Sequence, residues 1–132
     1  SMLSARKSRF IDEIFLSTDS KKINKIAKKN GFKTERLRQK KLSGSKSMTK
    51  DVVFDVIKKT KKKYDYFILL QPTSPLRSVK DIDNSIKITI KKNLNSLVSV
   101  NKSNQKINGA IYIQKINYLL YQIILIIFFL LV

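Results

Sequence analysis

The run Tyr66-Phe67-Ile68-Leu69-Leu70 stands directly before Gln71-Pro72-Thr73-Ser74-Pro75. Five successive large apolar residues leave no polar face for water, so a strand at this position has to be covered on both sides. The two prolines then end it, because neither a helix interior nor a central strand tolerates them three apart. A strand buried on both faces is typical of a parallel sheet packed between layers of helix, an arrangement that the rest of the pattern has to support.

The remaining pattern agrees with such layers. Ile14-Phe15-Leu16 is a short apolar run that ends in Ser17-Thr18-Asp19-Ser20, four residues that favour helix N-caps, with Asp19 read as the cap rather than as a metal ligand. Ile23, Ile26 and Ala27 share a helical face, and Asn30-Gly31 is a C-terminal stop. Residues 32–35 read as a weaker strand, and 42–50 as a polar loop. Val52, Val53, Val56 and Ile57 recur at helical spacing, followed by cations at 58–63 that suit the negative end of the helix dipole. Val79, Ile82, Ile86 and Ile90 predict another helix, 97–100 another strand and 111–113 one more. Strands alternating with helices predict right-handed βαβ units and a mostly parallel sheet, with ligands beyond the carboxyl ends of the strands. Ser17-Thr18-Asp19 and the segment 71–77 both fall at that end.

With 132 residues the chain has room for one core, and the absence of Cys and His excludes disulfides, zinc fingers and imidazole or thiol catalysis. Chemistry is left to carboxylates, hydroxyls, amides and cations. A formal net charge of +19 suits a basic module for nucleic acid or an anionic surface. However, 23 of the 28 cations are Lys, spread over helices and loops rather than gathered around stacking aromatics. Lys, Ile and Asn together are what AT-rich codons supply, so part of the charge reflects base composition.

Gln71-Pro72-Thr73-Ser74-Pro75-Leu76-Arg77 is the least generic heptad. A stiff loop presenting an amide, two hydroxyls and a guanidinium suits a polyhydroxylated or phosphorylated ligand. The alternative is a rigid strand-to-helix connection in which Ser78 caps the next helix.

Five ordered blocks resemble the acylneuraminate cytidylyltransferases, the CMP-sialic and CMP-legionaminic acid synthetases. They are Ile14-Phe15-Leu16-Ser17-Thr18-Asp19-Ser20, Ile26-Ala27-Lys28-Lys29-Asn30-Gly31, the stretch Tyr64 to Arg77, Asn95-Ser96-Leu97-Val98-Ser99-Val100 and Asn108-Gly109-Ala110-Ile111-Tyr112-Ile113. The form of the heptad favours sialic or legionaminic acid over the pseudaminic branch. The resemblance implies a Rossmann-like nucleotide-sugar transferase sheet and transfer of CMP from CTP to a nonulosonic acid, with Mg²⁺ assisting pyrophosphate departure. By motif position it implies Arg38 and Thr49 near the cytosine, and Gln71, Thr73, Ser74, Arg77 and Asn108 around the sugar. Each has a plainer reading: Arg38 is one of many cations, Thr49 could cap the helix at Asp51, and Asn108 precedes a turn glycine. It further implies a cytoplasmic enzyme, with a homodimer in the family.

The chain departs from that pattern in four places. The family's first strand and its basic, glycine-containing phosphate loop do not precede Ser1. The 42–49 loop carries Ser45 where Asp is common and Met48 where a small hydroxyl residue is usual. Seven residues separate Val100 from Asn108 where a longer excursion is usual, and no carboxylate follows Asp83, so the paired aspartates of the family's metal site are missing. The expectation is therefore a partial cytidylyltransferase-like domain over 1–115 that is inactive alone, followed by an apolar stretch at 116–132. That stretch, uncharged throughout, reads as a tail anchor, a buried strand or core helix, or degenerate coding, the last being preferred. As a helix it would span about 25 Å at ~1.5 Å per residue, short of a ~30 Å hydrocarbon core. The first ten residues are basic and lack the apolar segment of a signal peptide.

Overall fold

The computed structural model describes the chain except residues 1, 33, 35–36, 45–46, 61–62, 72–76, 100–110, 116–122 and 129–132, and for 123–128 it describes the backbone alone. The elements run α1 (Met2–Arg6), β1 (Glu13–Ser17), α2 (Lys21–Lys29), a 3₁₀ turn (Lys40–Leu42), α3 (Thr49–Lys59), β2 (Tyr66–Leu70), α4 (Val79–Lys91), β3 (Ser96–Val98), β4 (Ile111–Lys115) and β5 (Ile123–Phe128).

The five strands form one sheet in the order β1-β5-β2-β4-β3. Both faces are covered, as the apolar run at 66–70 requires. Tyr66, Ile68 and Leu70 point to one face, where they join Leu16, Ile111 and Ile113 of the sheet with Ala5, Ala27, Ile82 and Ile86 of α1, α2 and α4. Leu69 points to the other, with Phe15 of β1 and Val52 and Val53 of α3. Ile68 and Leu70 are fully buried.

The expectation of a mostly parallel sheet is met only in part. β5 runs parallel to both β1 and β2, whereas β4 is antiparallel to β2 and to β3. The cause is the return from β3 to β4. The Ser99 N–H donates to the Ile111 carbonyl at 3.0 Å and the Ile111 N–H donates to Ser99 Oγ at 2.9 Å. The chain thus re-enters the sheet at the end it left, which reverses its direction; a helical crossover would have preserved it. The strand expected at 32–35 is reduced, among its described residues, to a single bridge between Thr34 and Leu16.

β5 lies inside the 116–132 stretch and fills the middle of the sheet. Tyr66 of β2 is paired with Lys115 at the end of β4 and with Ile123 at the start of β5. Lys115 and Ile123 therefore flank the same residue of β2 from opposite sides, two strand spacings or about 10 Å apart. Among the described residues no helix is long and apolar enough to cross a membrane.

Helix boundaries follow local chemistry. At the end of α2, Gly31 adopts φ +74°, the Phe32 N–H reaches the Ala27 carbonyl and the Gly31 N–H reaches that of Lys28, a Schellman motif. α4 ends the same way on Asn93, at φ 47°. α4 starts on a capping box in which Ser78 and Asp81 each accept from the other's backbone N–H, the cap expected from the sequence. The α4 stripe differs by one position from expectation. Thr89 is buried and bonds back to the Ser85 carbonyl, while Ile90 is 41% exposed. In α2, Ile26 likewise faces out and Ala27 in.

Candidate functional site

The parallel strands β1, β5 and β2 all finish at one edge: Ser17 is in register with Phe128, and Leu70 with Ile127. Thr18-Asp19 and Gln71 leave the sheet there, two strand spacings apart, about 10 Å. Both segments that the sequence marks for binding are thus at the carboxyl end, as expected for an α/β ligand site.

Arg38 is the best-defined side chain of this edge. Its backbone N–H donates to the Thr18 carbonyl at 2.8 Å, which ties the loop after α2 to the end of β1. The guanidinium is 1% exposed; Nη2 donates to Asp19 Oδ1 and Nε to Ser43 Oγ, both at 3.2 Å. Ser43 Oγ in turn donates to the Gln39 carbonyl at 3.0 Å, which extends the Arg38 network to Gln39, and Ser47 Oγ separately donates to the Lys41 carbonyl, also at 3.0 Å. Arg38 borders a shallow opening of about 320 Å³, its mouth included, between the end of β1 and α3, with Phe15, Ser17, Asp55 and Lys59 among its walls.

This geometry corrects the reading of Asp19. The cap of α2 is Ser20, whose hydroxyl accepts from the Ile23 N–H at 3.3 Å. With the helix end already satisfied, Asp19 turns to the Arg38 cation. Thr49 does not cap α3 either. It is the first residue of that helix and exposed, and Met48 occupies the cap position without a side-chain bond. Its hydroxyl therefore stands at the helix N-terminus, where unpaired N–H groups favour negative charge.

Gln71 is half-buried, and its carbonyl accepts from Arg77 Nη1 at 2.9 Å. Arg77 is buried, and that burial lowers its pKa from the usual arginine value. It clips the two ends of the 71–77 loop together. Thr73, Ser74 and Asn108 lie outside the described residues. Arg38 and Thr49 belong to one loop-and-helix unit, and Gln71 and Arg77 to another. Asp19 and Ser43 are the partners that sequence reasoning missed. Nothing local to Asp19 signals a contact nineteen positions away, Ser43 stands five residues beyond Arg38 in a polar loop, and the only hint is that Asp19 and Ser20 compete for one cap.

For the Mg²⁺ that the resemblance implies, the described residues offer no fitting site. They contain no group of three or more Asp, Glu, His or Cys that could hold a metal, and Asp19 is committed to Arg38.

A mixed sheet with helices on both faces and polar loops at the carboxyl edge is a layered α/β domain whose candidate ligand edge lies at the ends of its parallel strands. A family model described as Cytidylyltransferase matches residues 2–119, and the chain belongs to that family. The curated CMP-N,N'-diacetyllegionaminic acid synthase of Legionella pneumophila is 33% identical over 90 residues, which cover 66% of this chain and 39% of that protein. The chain thus spans about two fifths of the length of the relative it matches.

Proposed function

We propose that this chain carries the base- and sugar-facing part of a CMP-nonulosonic acid synthetase. In the reaction, the anomeric hydroxyl of a nine-carbon keto-acid sugar attacks the α-phosphate of CTP and pyrophosphate leaves. Such catalysis is mostly positioning and charge stabilisation, so the lack of His and Cys is no obstacle. Arg38 and Thr49 would meet the cytidine; Gln71, Thr73, Ser74, Arg77 and Asn108 would meet the sugar. The name of the matched relative favours a legionaminic-type acid as acceptor. CTP as donor makes the cytoplasm the compartment we expect, and a homodimer follows from the same resemblance.

The observation that carries the reading is the family match over 2–119, with Arg38 fixed beside the carboxyl end of β1. We further propose that these 132 residues by themselves bind cytidine nucleotide weakly and do not turn it over, because they hold no carboxylate beyond Asp83 to serve as the family's metal ligands. Pyrophosphate release with CTP, Mg²⁺ and either N-acetylneuraminic or N,N'-diacetyllegionaminic acid tests this. The expected result is a rate at background, and sustained turnover would refute the inactive form of the proposal.

A further inference from the structure

α1 and α2 lie over the same face of the sheet, each with a buried alanine, Ala5 and Ala27, in one core. They are joined by Arg6, whose Nη1 donates to the Asn30 carbonyl at 2.8 Å and whose guanidinium lies 4.6 Å from the centre of the Phe32 ring. Asn30 Nδ2 in turn donates to the Ile26 carbonyl, so Arg6 and Ile26 meet the same residue. On the outward side, Leu3 of α1 is 60% exposed and Ile26 of α2 is 53% exposed. Lys22 and Lys29 stand four residues before and three after Ile26, next to it on the helix surface, and Lys25 is exposed beside them. Residues 2–11 hold three cations and residues 21–31 hold five, and neither stretch contains a carboxylate. Apolar side chains are also exposed at Met48 and Phe54, but along α3 the lysines are interleaved with Asp51 and Asp55.

We propose that α1 and α2 together form a docking face for an anionic lipid bilayer, in which Leu3 and Ile26 enter the headgroup boundary and the flanking lysines meet lipid phosphates. Charge complementarity selects the partner: a cationic surface without carboxylates is drawn to an anionic one and repelled by a second copy of a chain with net charge +19. The exposed aliphatic side chains separate a bilayer from a nucleic acid, because Leu and Ile gain by leaving water for lipid but do not stack on bases. The flexible stem of each lysine keeps its ammonium with the phosphates while the aliphatic neighbour goes deeper. Because α1 and α2 cover a face of the sheet, the carboxyl edge stays open in the docked chain, and the proposal is independent of what binds at that edge. The attachment is to a surface. The nine residues of α2 measure about 14 Å at ~1.5 Å per residue, far short of a ~30 Å hydrocarbon core.

The test is sedimentation of the full chain with phosphatidylcholine vesicles containing roughly one quarter phosphatidylglycerol, at about 0.15 M salt, against vesicles of phosphatidylcholine alone. The expected preference for the anionic vesicles is at least about tenfold. Lys22→Gln, Lys25→Gln and Lys29→Gln combined should weaken that binding about a hundredfold, since each lysine at the surface contributes roughly a factor of five. Leu3→Ser combined with Ile26→Ser should weaken it about tenfold at unchanged net charge. Lys50→Gln, Lys58→Gln and Lys63→Gln combined remove the same charge away from α1 and α2 and should change it less than about threefold. All these side chains are exposed, so each variant should keep the wild-type circular dichroism and melting temperature. Equal weakening by the two lysine sets, or undiminished binding by the Leu3→Ser, Ile26→Ser variant, means attraction by net charge alone and overturns the docking face. A mixed-sequence DNA duplex that binds through the α2 lysines more tightly than the anionic vesicles do assigns the face to nucleic acid and overturns it as well. Failure of the folded wild type to bind anionic vesicles does the same.

Discussion

A proline at Leu125 should unfold the sheet from its middle. Leu125 is in register with Ile14 on one side and Ile68 on the other, so among the described residues β5 is what joins β1 to β2 in the strand order. A residue inside a parallel strand sends its N–H and C=O to a neighbouring strand, and proline removes that donor. The lost bond, the orphaned acceptor and the ring's poor fit in a central strand together cost about 2–4 kcal/mol. For a domain of this size the urea m-value is about 1–3 kcal/mol/M, so the midpoint should fall by roughly 1–2 M. Amide exchange should then rise in both Glu13–Ser17 and Tyr66–Leu70, the two strands that β5 joins. An unchanged midpoint with unchanged protection of those strands would refute the central placement of β5 and return the 116–132 stretch to its other readings.

Other expectations follow from the helix caps and the buried phenol. Ser78→Ala removes the capping box of α4 and should cost about 1 kcal/mol in a denaturant melt. The Ser78 hydroxyl, with its backbone N–H, holds the Asp81 carboxyl below its usual range. That contribution is complete above the ordinary carboxylate pKa near 4 and is lost as pH falls below it, so the variant should show a shallower acid dependence. Burial and then the bond to Glu13 push the Tyr64 phenol well above its usual pKa. Its contribution is complete below about pH 10 and declines as pH rises further, so Tyr64→Phe should flatten the alkaline limb, and absorbance near 295 nm should follow the wild-type ionisation. Gly31→Ala, which forces a side chain into the left-handed region at φ +74°, should cost about 1–2 kcal/mol and fray the end of α2.

The sequence exposes what periodicity and capping chemistry encode and hides what depends on distant partners. The doubly buried strand at Tyr66–Leu70, the Gly31 stop and the Ser78 cap are each dictated within a few residues, and each is found where the local rule puts it. The direction of β4 is not local, because it is fixed where Ser99 meets Ile111, a contact between residues twelve apart. The same holds for the position of β5. A run of Ile, Leu and Phe with no charge suits a central strand, a core helix or a membrane equally, and only pairing with β1 and β2 distinguishes them. At the site, an arginine among many cations carries no mark of burial, and Asp19 beside Ser20 reads as a cap until the actual cap is seen to be its neighbour.

That contrast changes the meaning of the charge. A balance of +19 points towards phosphate-rich partners only if the cations form a surface that such a partner can meet. Among the described residues, the cations that are buried are Arg38 and Arg77, both from the minority of five arginines, and both lie next to segments leaving the carboxyl ends of β1 and β2. Arginine is the cation expected there, because its planar, weakly hydrated guanidinium can be desolvated and still satisfied by several acceptors, whereas an ammonium is costlier to bury. Burying two guanidiniums at a sheet edge has a desolvation cost that the fold meets with Asp19, Ser43 and the Gln71 carbonyl. The described lysines remain outside the buried set, where screening at physiological salt leaves them only a general, short-ranged attraction for anions. Under the proposed function, discrimination between ligands is assigned to the two buried arginines and the polar groups that hold them, not to the lysines.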